Sequence, residues 1–256
     1  MDVWSAPEVQ ISSQNPVSRV FKVLPSGTHF EPGLDEQLRR RPNGTYHKQK
    51  VVIFDVPAAV DWVPEDIPCD SAHAIPKWNG LGASQGAEVT SDICWFDDHE
   101  VMSKAAERFS NAFGGVLREE FGVSAEPCKL ARGLYATRVK RGADADDEWH
   151  HDICKPAPDI FLTVLAYPHD RGWKPEWQGH TEFARVDCAV EPPPQTNRTP
   201  PALRVAPMPN RTVIFGGRIF HTTSRVVGMS RRSRRRDKKA ARNRYSVVLR
   251  LHCQAG

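Results

Sequence analysis

Apolar residues along this chain recur in two rhythms, and they place one helix among several strands. Between Asp98 and Glu120 the apolar positions Val101, Ala105, Phe109, Phe113 and Val116 return every three or four residues, which predicts an amphipathic helix with a buried stripe. Gly114-Gly115 interrupts its middle. Elsewhere the apolar runs are short, β-branched and bounded by turn residues, the mark of strands. Lys50-Val-Val-Ile-Phe-Asp-Val56 stops before Pro57, Leu130 to Lys140 forms a second run, and Phe161-Leu-Thr-Val-Leu-Ala-Tyr167 a third. Val213-Ile-Phe215 and Tyr245-Ser-Val-Val-Leu-Arg250 complete the set. Residues 57–93 are rich in Pro, Gly and Asp and read as loops, and 191–210 hold seven prolines among twenty residues. Residues 1–49 are polar and rich in Pro, Gly and Ser, an irregular segment, and 50–256 read as a single domain.

Against that frame the stretch Trp149-His150-His151-Asp152 stands out. In a strand, residues i and i+2 share a face, so His150 and Asp152 can reach one metal ion while His151 faces away. His-x-Asp arises by chance in many chains, and two ligands do not make a site. A third candidate, His221, follows the short strand 213–215. Two histidines and a carboxylate on one face of a metal leave its other positions open, the facial arrangement of non-haem Fe(II) oxygenases. Arg244 heads the last strand, and a guanidinium fork suits a carboxylate.

Five blocks then fall in order: His150-His-Asp152, Phe161 to Tyr167, Trp173 to Phe183, Asn210 to His221, and Arg244 to Arg250. Together, from about Leu134 to His252, they resemble the 2-oxoglutarate/Fe(II) dioxygenases, and within these the prolyl-4-hydroxylase-like group. His180 stands where that group has the second glycine of a turn. The resemblance implies an α+β, mainly β fold: a double-stranded β-helix core (jelly-roll or cupin-like) over about 130–256, supported by N-terminal helices. It implies Fe(II) on His150, Asp152 and His221, and 2-oxoglutarate with its distal carboxylate on Arg244, helped by Tyr167 and Thr163. Oxygen is the co-substrate, ascorbate a supporting reductant, and succinate and CO2 the co-products. The retained Asp152 favours hydroxylation over halogenation, and the oxidised C–H belongs to a prolyl, amino-acid-like or small-molecule substrate. Arg250, six residues after Arg244, gives an Arg-x5-Arg pattern that resembles nucleic-acid demethylases of the same superfamily, so oxidative demethylation of alkylated nucleic acid is the alternative.

Charge sharpens that alternative. The chain carries a net +4, yet residues 228–243 alone carry +7, leaving −3 on the rest. The basic balance is thus one local insertion between His221 and Arg244. It reads as a solvated loop, as a phosphate- or nucleic-acid-binding patch or nuclear address centred on 231–242, or as a lid over the site. A non-enzymatic nucleic-acid-binding protein is the reading from another class. The acidic run 141–148 lacks the spacing of a calcium loop and reads as a solvated face.

The remaining composition narrows less. No window is apolar enough for a membrane span, and no secretory signal is visible at the start, so the chain is expected in the cytoplasm. Its six cysteines (Cys69, Cys94, Cys128, Cys154, Cys188 and Cys253) are scattered without a Cys-x-x-Cys, and the expectation is reduced thiols. The sequons at Asn43, Asn197 and Asn210 read as chance.

Overall fold

The computed structural model describes residues 20–23, 51–55, 60–64, 79–81, 91–96, 98–139, 149–153, 160–168, 178–187, 201, 203–224 and 244–256. The basic insertion, the acidic run, Cys154, Trp173 and Trp177 lie outside them.

Eleven strands and one α-helix make up the described chain. In order they are β1 (Val20–Val23), β2 (Val51–Asp55), β3 (Asn79–Leu81), β4 (Ser91–Trp95), α1 (His99–Phe121), β5 (Lys129–Val139), β6 (Ile160–Tyr167), β7 (Thr181–Asp187), β8 (Leu203–Val205), β9 (Arg211–Gly216), β10 (Ile219–Thr223) and β11 (Arg244–Cys253). Eight strands form one antiparallel sheet in the order β1-β2-β9-β6-β11-β5-β4-β3, and three form a second, β10-β7-β8. Neighbours far apart in sequence, such as β11 between β5 and β6, give the jelly-roll-like sandwich that the family resemblance implied.

The supporting N-terminal helices are not found: among the described residues α1 is the one α-helix, and four strands precede it. The reason lies in the runs themselves. Val51 to Asp55 is too short and too β-branched for a helix, and its backbone completes the ladder of β9. The expected loop region 57–93 likewise contributes β3 and the start of β4, which extend the sheet beyond β5.

Alternation along the large sheet builds two cores. Its outer face (Leu134, Ala136, Leu162, Val164, Val247, Leu249 and others) is covered by the helix stripe Phe109, Phe113, Leu117 and Phe121. Phe54 meets Phe113 edge-on at 4.8 Å between ring centroids, and Trp62 meets Phe109 at 5.6 Å. Asp98 caps the helix, its Oδ1 accepting from the backbone N–H of Glu100 (2.8 Å) and Val101 (3.2 Å). Gly122 ends it in the left-handed conformation (φ 67°), where a side chain would be strained. The helix runs unbroken through Gly114-Gly115, a cost of about 1 kcal/mol per glycine that the aromatic stripe offsets. The inner face (Tyr135, Leu165, Tyr167, Val213, Phe215, Val248) packs on Phe183, Leu203, Val205 and Ile219 of the small sheet.

The cysteines overturn the expectation of reduced thiols. Cys128 and Cys253 form a disulfide, their Cα atoms 4.4 Å apart. The ladder explains the meeting: His252 pairs with Lys129, so the next residue on each strand faces the other across β5 and β11. Cys94 is disulfide-bonded too, and no cysteine among the described residues is free.

Candidate metal centre

Trp149 to Ile153 belongs to neither sheet, but backbone hydrogen bonds lay it along β10. His150 N–H donates to the His221 carbonyl (3.1 Å) and His221 N–H returns the bond (2.8 Å). Two residues on, the N–H groups of Asp152 and Ile153 both donate to the Gly217 carbonyl (2.9 and 3.0 Å). Trp149 anchors the segment, buried against Ala184 and Phe220. The result is the two-residue alternation read from the sequence. His150 and Asp152 turn to the same side, and His151 lies outside against Phe220, 5.3 Å between centroids.

One ligand atom from each of His150, Asp152 and His221 lies within 4.8 Å of the others. The rings of His150 and His221 are 4.3 Å apart, and His221 Nε2 lies 3.7 Å from Asp152 Oδ2. His221 Nδ1 sits 3.0 Å from the Ile219 carbonyl, an acceptor only, so that nitrogen carries the proton and Nε2 keeps its lone pair facing the carboxylate. Phe215, 4.7 Å away, walls the ring in.

Both oxygens of Asp152 are held. Thr163 Oγ1 donates to Oδ2 at 2.5 Å, and the Arg250 guanidinium pairs with Oδ1. Burial alone would raise the Asp152 pKa. His221, Arg250, the Thr163 hydrogen bond and His150 outweigh it and hold the group below its ordinary value of 3.8. Burial, joined by His150, pushes His221 down to about 4, against the pull of Asp152. At neutral pH His221 is therefore uncharged, and Arg250 is the cation that keeps Asp152 ionised. The two groups already hold the protonation states a metal requires.

A second cluster occupies the far end of the same strands. Arg244 is 3% exposed, and its Nη2 donates to Tyr167 Oη (2.9 Å) and Thr181 Oγ1 (2.7 Å), which are 2.6 Å from one another. Its Nε finds no hydrogen-bond partner, and no carboxylate pairs with it, among the described residues. A buried guanidinium without an anion is costly, and among the described residues only the hydroxyls of Tyr167 and Thr181 partner this one. Four residues separate Thr163 from Tyr167 and six separate Arg250 from Arg244, so each pair shares a face, about 13 Å and 20 Å apart along its strand. Leu165 and Val248 make the wall between.

The structure thus places Thr163 and Arg250 on Asp152, and Tyr167 with Arg244. Sequence reading passed over Thr181. Its signal was alternation with Phe183, since both point into the sandwich from β7. Arg211, passed over as well, is a buried brace: Nη1 donates to the Ala206 carbonyl (2.8 Å).

A hard carboxylate oxygen and two imidazole nitrogens on one side suit a six-coordinate divalent ion such as Fe(II), and the fixed tautomer of His221 supports the fit.

No protein-family model and no curated protein matches this chain. Among solved structures, a prolyl-4-hydroxylase from Pseudomonas putida is similar at 14% identity, over 77% of this chain and 86% of its own, with a TM-score of 0.45. A prolyl hydroxylase from Trichoplax adhaerens, in complex with a hypoxia inducible factor oxygen degradation domain peptide fragment, aligns over 86% of each chain at 13% identity and a TM-score of 0.44. SnoN, a non-heme alpha ketoglutarate dependent epimerase from nogalamycin biosynthesis, aligns over 88% of this chain and 82% of its own at 16% identity and 0.47. At such identities the side chains of this chain must carry the function.

Proposed function

We propose that the protein is an Fe(II)- and 2-oxoglutarate-dependent oxygenase that hydroxylates an unactivated C–H bond of a prolyl, amino-acid-like or small-molecule substrate, with succinate and CO2 as co-products. The observation that carries this is the pairing of two sites along β6 and β11, which reach the metal ligands through Thr163 and Arg250. Three ligand atoms converge at one end, and at the other lies a buried guanidinium with no carboxylate partner among the described residues.

His150, Asp152 and His221 would hold the metal. Bound there, Fe(II) supplies the activation of oxygen, coupled to decarboxylation of the 2-oxo acid. The protein's own groups do the rest. Thr163 and Arg250 orient the two oxygens of Asp152, so the carboxylate presents one fixed edge. Ile219 fixes the tautomer of His221. Arg244 takes the distal carboxylate of 2-oxoglutarate, and Tyr167 and Thr181 set the plane of its guanidinium. Phe183, Phe215, Leu165 and Val248 keep water from the space between, which strengthens each charged contact there.

The test is anaerobic titration of the purified protein with Fe(II) and then 2-oxoglutarate by calorimetry, followed by succinate release on admitting oxygen. Stoichiometric binding and slow succinate formation, both absent from Asp152→Ala, are expected. A wild-type chain that binds neither Fe(II) nor 2-oxoglutarate would overturn the reading.

A further inference from the structure

Arg250 grips Asp152 with one prong of its guanidinium, Nη2, which donates to Oδ1. Two parallel bonds would fix the plane of the fork, whereas a single one leaves it free to swing. Its Nε finds no hydrogen-bond partner among the described residues, so no polar contact on that nitrogen stops the swing. The sheet supplies a brace of another kind. Across the ladder Arg250 faces Gly133, which offers no side chain, and it reaches the diagonal neighbour Tyr135 instead. The guanidinium carbon lies 5.1 Å from the centroid of the Tyr135 ring, close enough for the negative face of the ring to attract the cation. With 15% of its side chain exposed, Arg250 is largely out of water, where such a contact is stronger. The platform is itself fixed. Tyr135 is 5% exposed and packs with its β4 partner Trp95 at 4.7 Å between ring centroids.

Where Arg250 rests decides what Asp152 can offer. Thr163 holds Oδ2, the oxygen 3.7 Å from His221 Nε2, while Arg250 occupies Oδ1. A carboxylate with one oxygen spent on a cation coordinates through the other and fills one position on a metal. Released, it can chelate through both and fill two. Beside His150 and His221, the first mode leaves three positions of a six-coordinate ion and the second leaves two.

We infer that Tyr135 is a positioning residue of the metal centre: its ring face fixes the Arg250 guanidinium on Asp152 Oδ1, so that Asp152 meets the metal through Oδ2 alone. The inference rests on the oxygenase reading above and adds to it a residue that acts on the metal through two others. Bulk does not suffice for this role. An aliphatic side chain would fill the same space but offer the guanidinium no negative face on which to settle.

The experiment compares Tyr135→Phe with the same chain carrying pentafluorophenylalanine at 135. The two rings are close in shape and both lack the hydroxyl, but fluorination removes the negative face. Mn(II) stands in for Fe(II), with its affinity and the line shape of the bound ion read by electron paramagnetic resonance on the full chain. Tyr135→Phe should keep wild-type affinity within about two-fold, and the fluorinated ring should weaken it about ten-fold, the scale of losing a group that orients a metal ligand. The bound-ion spectrum of the fluorinated protein should move toward that of Arg250→Met. In the Arg250→Met background the same fluorination should change affinity less than about two-fold. Equal affinity with the plain and the fluorinated ring, a full loss already in Tyr135→Phe, or an equal loss with and without Arg250 would each overturn the inference and leave the oxygenase reading standing. Failure of the wild-type chain to take up Mn(II) would overturn both.

Discussion

Replacing Cys128 and Cys253 together by serine tests the deepest constraint in the sheet. The bond joins residues 125 apart, and it closes the ladder where β5 begins and β11 ends. A cross-link over that length removes about 16 cal/mol/K of entropy from the unfolded chain, equivalent to about 5 kcal/mol at 25 °C. For a chain of this size each kcal/mol shifts Tm by about 2–4 °C, so the double variant should melt about 10–20 °C lower. Differential scanning calorimetry of wild type, wild type with reductant, and the variant gives the number. Non-reducing peptide mapping establishes the bond beforehand. A shift below about 5 °C with the bond mapped in the wild type would refute the chain-entropy reasoning. The same variant should loosen the metal end, because Cys253 also pairs with Ile160, three residues before Thr163 on β6. Fe(II) affinity should therefore fall even though no ligand has changed.

Two further outcomes follow from the site. His221 has a folded pKa lowered to about 4, so between about pH 4 and 6.5 the unfolded chain binds a proton that the folded chain does not, and metal-free stability falls as pH drops through that window. Urea unfolding at pH 7 and 4.5 should show His221 contributing a loss of about 2 kcal/mol that His221→Asn lacks; identical pH profiles for the two proteins would contradict it. Arg244→Ala should weaken 2-oxoglutarate at least about ten-fold with Fe(II) binding intact, and Tyr167→Phe less, as read by anaerobic calorimetry; unchanged 2-oxoglutarate affinity in Arg244→Ala would place the co-substrate elsewhere.

What could be read from the sequence was what local periodicity encodes. The stripe from Val101 to Val116 is helical because its spacing is helical, and His150 and Asp152 share a face because strands alternate. Periodicity also put Thr163 and Tyr167 on one face, but a face has length. Only the register Arg250↔Thr163 shows which end of β6 lies beside Asp152. The edge strands were invisible for a related reason. Asn79–Leu81 and Leu203–Val205 have three residues each, too few to show alternation, and they exist because a neighbouring strand offers them a ladder. The disulfide was beyond reach altogether, since two cysteines separated by most of a domain meet only through the path of the fold.

β6 and β11 are locked together by seven consecutive pairs, from Val247↔Ala166 to Cys253↔Ile160. They act as a caliper whose jaws are Asp152 with its partners at one end and Arg244 with Tyr167 at the other. A strand can lengthen or shorten only by two residues, about 6.6 Å, without turning its side chains to the wrong face. On the proposed reading, one methylene more or less in a diacid held between the jaws would be far finer than that step. Selectivity for acid length is therefore not adjustable in the backbone. On that reading it would reside in the reach of Arg244 and the hydroxyls that hold it, so a change of co-substrate in a descendant of this protein would begin there and leave the metal end untouched.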